Sequence, residues 1–189
     1  WTVNDSVSLR ASFQTAQRHA NISELYSAVS DGLVDLDNDP CSIQQNGDPA
    51  TATQAQCALT GLPASLYNTD LNSPADQYNI KGGGNPKVAP EESESTTIGV
   101  VLTPESVPGL TLTLDYFDIT VEDGIGTVSA KTALDKCIST GSAQYCGLIN
   151  RQAGTGSLWL SGGYISQQLT NIGEETTSGV DIIFDYSLE

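Results

Sequence analysis

The sequence predicts an all-β fold, an antiparallel segment of a transmembrane β-barrel with about four strands and two long outer loops. Stretches of alternating apolar and polar residues predict strands whose side chains point to two opposite faces. The predicted strands are joined by a long, then a short, then a long connection. Short turns at one end and long loops at the other are typical of outer-membrane barrels, in which the long loops are extracellular.

The alternation and the breaks in it give the boundaries of these elements. Strands are predicted near residues 5–18, 94–104, 109–123 and 168–188. The outer loops are predicted near residues 19–93 and 124–165. The whole chain, residues 1–189, is therefore interpreted as one partial barrel.

The first predicted strand alternates without a fault from Ser6 to Gln14. Val7, Leu9, Ala11 and Phe13 share one face, and polar residues share the other. A soluble sheet packed on a core would show the same pattern, so this strand alone does not separate the two architectures.

The middle of the chain predicts a β-hairpin, because two runs of β-forming residues flank a short turn with two prolines and a glycine. Leu112 lies on the apolar face of the second arm, whereas Thr111 lies on the polar face. The last strand repeats the alternation. Its apolar face is formed by Val180, Ile182, Phe184, Tyr186 and Leu188.

The two loops show little periodicity. Asn21 and Glu24 have the spacing of a helix N-cap. Residues 27–90 predict a functional loop or disorder, with a flexible break at the three glycines 82–84. In the second loop, residues 132–138 predict a short helix, and residues 158–165 predict a small hairpin around Gly162 and Gly163.

The charge pattern disfavours a nucleic-acid partner. The formal net charge is −16, and ten acidic residues but only Lys81 and Lys87 fall between His19 and Ser93. Nucleic acids bind basic surfaces, so these residues are interpreted as a solvated acidic loop.

An acidic run at residues 35–39 has calcium binding as its alternative interpretation. An EF-hand loop would place glycine and glutamate where this chain has Pro40 and Asn46. We therefore predict no metal site, and an irregular calcium site stays the open alternative.

The four cysteines, Cys41, Cys57, Cys137 and Cys146, fall into two local pairs in the loops. Three connectivities are possible, and we predict the short-range one, Cys41–Cys57 and Cys137–Cys146. Zinc is the rival interpretation, but there is no Cys-x-x-Cys spacing and the single histidine, His19, is far along the chain. Disulfides indicate an oxidising compartment.

Length and composition fit one partial domain. No apolar run approaches the about 20 residues that a membrane helix needs, whereas a membrane strand needs only about 9–11. The chain contains no methionine, and predicted strands lie at both of its ends. From this we expect a piece of a longer chain.

A series of short motifs resembles one known family. Along residues 85–123 these are Asn85-Pro86, Ser93-Glu94-Ser95, Gly99-Val100-Val101, Thr103-Pro104, Pro108-Gly109-Leu110 and Asp115-Tyr116-Phe117-Asp118-Ile119. Before and after them stand Leu9-Arg10-Ala11-Ser12-Phe13, Arg18-His19-Ala20-Asn21-Ile22, Asn171-Ile172-Gly173 and Thr177-Ser178-Gly179-Val180-Asp181. In this order they resemble the C-terminal half of the barrel in TonB-dependent outer-membrane receptors.

The resemblance implies part of a receptor for the TonB-dependent active uptake of a scarce nutrient: a siderophore, cobalamin or an oligosaccharide. It implies a Gram-negative outer membrane, extracellular loops and no cofactor. The implied partners are membrane lipid, the nutrient, the remaining barrel strands and plug of the parent chain, and the TonB complex through that plug. The plug domain itself is not expected in this chain.

Three aromatic residues of the second loop are candidates for ligand binding. Tyr145, Trp159 and Tyr164 could stack on a sugar or an aromatic ligand. The alternative is that they pack the loop or belong to the aromatic girdle of the barrel.

Two other function classes are the alternatives. A secreted soluble β-sandwich, such as an adhesin or a carbohydrate-binding module, would bury the same apolar faces between two sheets. An enzyme is not predicted, because the chain has one histidine and no Gly-x-Ser-x-Gly motif. No catalytic residue is assigned.

Overall fold

The chain forms two compact units in a computed structural model that describes residues 1–188. The large-sheet unit contains residues 1–20, 89–125 and 171–188. The insert unit contains a first segment, residues 21–88, and a second segment, residues 126–170.

Eleven strands and four α-helices are found in residues 1–188. The strands are β1 (Thr2–Asn4), β2 (Val7–Arg18), β3 (Ser30–Asp35), β4 (Gln77–Gly83), β5 (Glu91–Leu102), β6 (Leu110–Glu122), β7 (Ile125–Gly126), β8 (Ile149–Asn150), β9 (Tyr164–Gln168), β10 (Thr170–Asn171) and β11 (Glu175–Tyr186). The helices are α1 (Ile22–Tyr26), α2 (Gln54–Leu59), α3 (Ala130–Thr140) and α4 (Ala143–Cys146), and a 3-10 turn spans Ala64–Leu66.

The large sheet has the strand order β1-β2-β5-β6-β11, and its neighbours are antiparallel. Its four long strands contain 12 or 13 residues each, more than the about 9–11 that cross a bilayer. The predicted all-β antiparallel fold is confirmed, and the sheet is not closed. The added strand β1 folds back on β2, where Asn4 pairs with Val7.

The register of the large sheet aligns apolar side chains in rows across four strands. The rows are Val7–Leu102–Leu112–Phe184, Leu9–Val100–Leu114–Ile182 and Ala11–Ile98–Tyr116–Val180. Because alternate residues share a face, all three rows lie on the same face of the sheet. This face is not covered within the unit: Ile182 is 67% exposed and Phe184 is 68% exposed.

The insert unit buries its apolar side chains instead. Its four-stranded sheet has the order β3-β4-β9-β8, with β4 and β9 parallel and the other pairs antiparallel. The larger hydrophobic cluster includes Tyr78, Leu134, Leu158 and Ile165, and a smaller one surrounds Cys41 and Cys57. Within residues 1–188, the buried apolar side chains all lie in this unit.

The prediction of a structureless stretch at residues 27–90 is wrong. This stretch contains the two strands β3 and β4, helix α2 and a 3-10 turn, with Tyr78 and Leu71 buried. Its elements are short. Tyr78 packs among residues of the second segment, and Leu71 packs with Cys41 and Cys57 of its own segment. Periodicity within the stretch therefore could not reveal them.

The glycines 82–84 are not a flexible break. Gly82 and Gly83 belong to β4, and Gly83 has φ +149°. A Cβ atom on Gly83 would lie 2.8 Å from the Cα of Val29, and one on Gly84 would lie 2.7 Å from the backbone nitrogen of Ser27. Glycine is needed here because two backbones approach closely.

Two local predictions in the second segment had different outcomes. The helix predicted at residues 132–138 is present as α3, which begins after the N-cap Ser129 and extends to Thr140. The hairpin predicted at residues 158–165 is wrong, because β9 pairs with β4 and β8 and residues 158–160 form no strand. Strand pairing with distant residues replaced the local turn.

Candidate functional site

Each segment of the insert unit contains one disulfide bond. Cys41 bonds Cys57, which lies in α2, and Cys137 of α3 bonds Cys146 of α4. Helix α2 begins at a capping box formed by Thr53 and Gln56. Both bonds have the short-range pairing that the sequence predicted.

A buried ion pair joins the two segments. Arg151 donates from Nη1 to Asp39 Oδ2 at 2.6 Å and from Nη2 to Asp39 Oδ1 at 3.0 Å. The side chains of Arg151 and Asp39 are 2% and 0% exposed. Arg151 Nε also donates to Thr60 Oγ1 at 2.7 Å. The guanidinium group thus has carboxylate and hydroxyl partners in the first segment, which such a buried cation requires.

Tyr78 occupies the centre of the core and has two polar neighbours. Its hydroxyl accepts from the backbone nitrogen of Ser73 at 3.3 Å and donates to Asn72 Oδ1 at 3.4 Å. Burial raises the pKa of the Tyr78 hydroxyl, and the nearby carboxylate of Asp39 raises it further. This phenol is therefore held neutral inside the unit.

The three aromatic candidates do not have a common role. Tyr145 and Trp159 pack against the hydrophobic core, and Trp159 Nε1 donates to the carbonyl of Leu71 at 3.2 Å. Tyr164 has Lys81 Nζ 4.6 Å from its ring centroid, and Lys81 also lies 3.7 Å from Asp31. Of the three, Tyr164 is the one with a polar surface partner.

A cleft of about 280 Å³ opens on the insert unit. Its lining combines the aspartates 35, 37 and 135 with Lys131 and the apolar residues Leu36 and Leu134. Lys131 donates to Asp135 at 2.7 Å, which raises the pKa of the lysine. Among residues 1–188, no three His, Cys, Asp or Glu side chains are grouped to hold a metal ion.

The polar face of the large sheet carries an ion pair across the middle strand. Arg10 of β2 bonds Asp115 of β6 through both carboxylate oxygens, with Gly99 of β5 between them. A Cβ atom on Gly99 would collide with the Asp115 carboxylate. The glycine therefore leaves the space in which the two charges meet.

Sequence reasoning missed Arg151 and the role of Asp39. Asp39 ends the acidic run that the charge pattern indicates is solvated, yet it is fully buried and paired. The available signal was Arg151 itself, the only arginine after Arg18 in a loop of small polar residues. Arginine is the residue that buried ion pairs prefer, which made Arg151 the candidate for one.

The whole chain is similar to one known protein family. Residues 1–189 match the family described as TonB dependent receptor-like, beta-barrel. No curated protein matches. In residues 1–188, no helix is long and apolar enough to cross a membrane.

Solved structures with a similar fold include a mutant of the ferric enterobactin receptor PfeA from Pseudomonas aeruginosa in complex with enterobactin. The identity is 14% and the TM-score 0.50, covering 96% of this chain and 18% of that one. The siderophore receptor PirA from Pseudomonas aeruginosa is similar at 14% identity and TM-score 0.46, with 96% and 22% covered.

A third similar structure is a double mutant of the Serratia marcescens hemophore receptor HasR in complex with its hemophore HasA and heme. It has 13% identity and a TM-score of 0.49, with 100% of this chain and 19% of that chain covered. The chain thus spans about a fifth of the length of these structures. At such identities the likeness concerns the fold alone. With the family match over its entire length, the chain belongs to the TonB-dependent receptor β-barrel family.

Proposed function

We propose that this chain is part of an outer-membrane receptor of a Gram-negative bacterium that takes up a scarce nutrient with energy supplied through TonB. The observation that carries the proposal is the contrast between the two units. The large sheet exposes a continuous apolar face, while the insert unit has a buried core of its own. An exposed apolar face is typical of a sheet in contact with lipid, whereas a buried core is typical of a unit surrounded by water.

In this proposal the three apolar rows contact lipid and the opposite face lines the lumen. Arg10 and Asp115 lie on the lumen side, where charges remain hydrated or meet the plug. The short connection between β5 and β6 faces the periplasm. The insert unit, which includes most of both long connections, is then extracellular.

The apolar rows end where the same face becomes acidic. Beyond Tyr116 on β6 it continues with Asp118 and Glu122, and the neighbouring strand β5 contributes Glu92 and Glu94. Carboxylates are costly within the hydrocarbon region. We therefore place the outer boundary of the lipid layer near Asp118, at the strand ends from which the long connections leave.

The nutrient belongs to the siderophore, cobalamin or oligosaccharide class, and the insert unit captures it. Loops held on a rigid scaffold commonly carry binding function. Tyr164 remains the aromatic candidate for stacking on a ligand, because Tyr145 and Trp159 pack against the core. The remaining barrel strands, the plug and the TonB complex are the other partners proposed for the full-length receptor.

The test exchanges residues 21–88 and 126–170 together between the full-length receptor and a relative that carries a different nutrient. Uptake preference should follow the exchanged insert unit, measured with both labelled nutrients in intact cells. A matched control exchanges residues 103–109, the short turn, and should leave preference unchanged. If preference stays with the recipient's plug and strands, capture by the insert unit is refuted.

A further inference from the structure

The larger hydrophobic cluster of the insert unit combines residues of both segments, whereas the smaller one consists of buried first-segment residues with Ile138 of the second segment packed against them. Tyr78 comes from the first segment, and Leu134, Leu158 and Ile165 come from the second. All four are almost fully buried, and Tyr78 is 0% exposed. Removing either segment would expose the apolar surface of the other, so the two segments depend on each other for burial.

Backbone pairing joins the segments as well. Strand β4 lies inside the four-stranded sheet, paired with β3 of its own segment and with β9 of the second. Asn79 of β4 donates from Nδ2 to the carbonyls of Trp159 at 2.9 Å and Gly163 at 2.9 Å. Opening one segment would thus leave polar groups of the other without partners.

Arg151 connects the same two segments through charge. Its Asp39 partner also accepts from the backbone nitrogen of Cys41 at 2.9 Å, and Thr60 donates to the carbonyl of Cys57 at 2.7 Å. The guanidinium group of the second segment therefore contacts both residues that support the Cys41–Cys57 disulfide of the first. Arginine stays charged at any relevant pH, so this contact cannot be relieved by deprotonation.

We propose that the two segments behave as one cooperative module and that the buried Arg151–Asp39 pair stabilises both segments together. Opening of either segment then requires opening of the other, and neither loop closes over a ligand independently. The inference goes beyond the proposed function, because the coupling is present without nutrient, plug or TonB.

Native-state hydrogen exchange tests the coupling in the full-length receptor in detergent without ligand. In mild denaturant, amides of α2 in the first segment and α3 in the second should converge on one opening free energy. Distinct opening free energies for the two helices would overturn the proposal. This measurement needs no variant and no transport activity, so its outcome is separate from that of the uptake experiment.

The variant Arg151→Met leaves the Asp39 carboxylate buried without a cation. Hydrogen exchange in α2 and α3 should accelerate by the same factor, about 150- to 5,000-fold, while the amides of β5 and β6 keep their rates. Acceleration confined to the second segment, or shared by β5 and β6, would overturn the role of the Arg151–Asp39 pair.

Two further variants test whether the acceleration comes from the unpaired buried carboxylate or from any substitution in the insert unit. Lys131→Met removes an exposed ion pair of α3 with a side chain of similar length, and it should change no exchange rate more than about twofold. Asp39→Asn combined with Arg151→Met removes both charges and keeps the acceptor for Cys41, so most protection should return. If Arg151→Met fails to assemble, this double variant shows whether α2 and α3 still share one rate.

Discussion

At the scale of single residues, the large sheet and the insert unit use charge differently. Arg10 and Asp115 form an exposed pair on a sheet face, where solvent screening leaves such pairs little effect on stability. Arg151 and Asp39 form a buried pair, for which loss of one partner costs about 3–5 kcal/mol. Substitutions at the first pair should thus be tolerated and those at the second should not.

Gly99 provides a sensitive test of the space around the exposed pair. Gly99→Ala places a methyl group against the Asp115 carboxylate and should destabilise the sheet slightly, because the carboxylate must turn away and lose its bonds to Arg10. Gly124→Ala is the control, because its Cβ meets nothing within 4 Å. Urea unfolding in detergent measures both free energies of unfolding. Equal stability of the two variants would show that the Asp115 carboxylate does not restrict position 99.

Leu112 and Thr111 test which face meets lipid. Leu112 lies between Leu102 and Phe184 in an apolar row, whereas Thr111 pairs with Asp185 on the opposite face. Leu112→Arg should cost about 2–4 kcal/mol and reduce the assembled barrel in the full-length receptor, while Thr111→Arg should be tolerated. The gel mobility of unheated outer-membrane samples reports assembly. Equal losses from both variants would refute the facing.

Tyr78 predicts an alkaline limit for the insert unit. Its pKa is raised in the folded state above the ordinary value of 10.0, so the folded protein keeps a proton that the unfolded protein releases. The stabilising effect is complete below pH 10 and is lost as the pH rises through the folded pKa, by about 1.4 kcal/mol per pH unit. Unfolding in detergent should show this slope in the wild type and lack it in Tyr78→Phe. An unchanged slope in Tyr78→Phe would show that another titratable group causes this pH dependence of the free energy of unfolding.

At the scale of elements, the long strands were predictable and the short ones were not. A strand such as β2 carries its own evidence, since each side chain's face follows from alternation over 12 residues. Strand β8 has two residues and β9 has five, and they are strands because β4 is beside them. Their partner is not visible in the local sequence.

The same distinction explains the candidate site. The disulfides were predictable because each closes a short loop, with sequence separations of 16 and 9. The Arg151–Asp39 pair spans 112 positions, and no local pattern links its members. Tyr145 and Trp159 are ligand-binding candidates by sequence, but burial against distant residues decides their environment.

The two disulfides should differ in their contribution to stability. In the chain-entropy model, loss of Cys41–Cys57 costs about 3 kcal/mol and loss of Cys137–Cys146 slightly less, because the second loop is shorter. Alanine pairs at each bond, compared by denaturant unfolding of the chain in detergent, measure the difference. Trp159 fluorescence reports the insert unit, because the other tryptophan, Trp1, is already 87% exposed. Non-reducing peptide mapping checks the pairing, which a Cys41–Cys146 peptide would contradict.

At the scale of the whole molecule, the chain combines two solutions to the burial of apolar side chains. The insert unit satisfies its own, whereas the large sheet leaves three apolar rows and its outer strand β11 uncovered. An uncovered strand edge with apolar side chains promotes association with other chains. The two units therefore require different surroundings to remain folded and dispersed.

This contrast predicts how residues 1–189 behave when produced alone. In water the chain should associate through the large sheet, and in detergent micelles it should disperse. Light scattering in both solvents measures the size of the particles, and Trp159 fluorescence shows whether the insert unit stays folded in each. A dispersed, cooperatively unfolding monomer in water would contradict the prediction that the apolar rows drive association.

The parallel pairing of β4 with β9 also has a consequence for inheritance. Ile80 and Ile165 are partners although 85 positions separate them, so a genetic crossover between residues 88 and 126 would combine halves of two different insert units. Such recombinants should be lost, whereas crossovers that transfer both halves together should survive. Descendants of one ancestral gene should accordingly change positions 39 and 151 as a pair, and the two segments of the insert unit should diversify together.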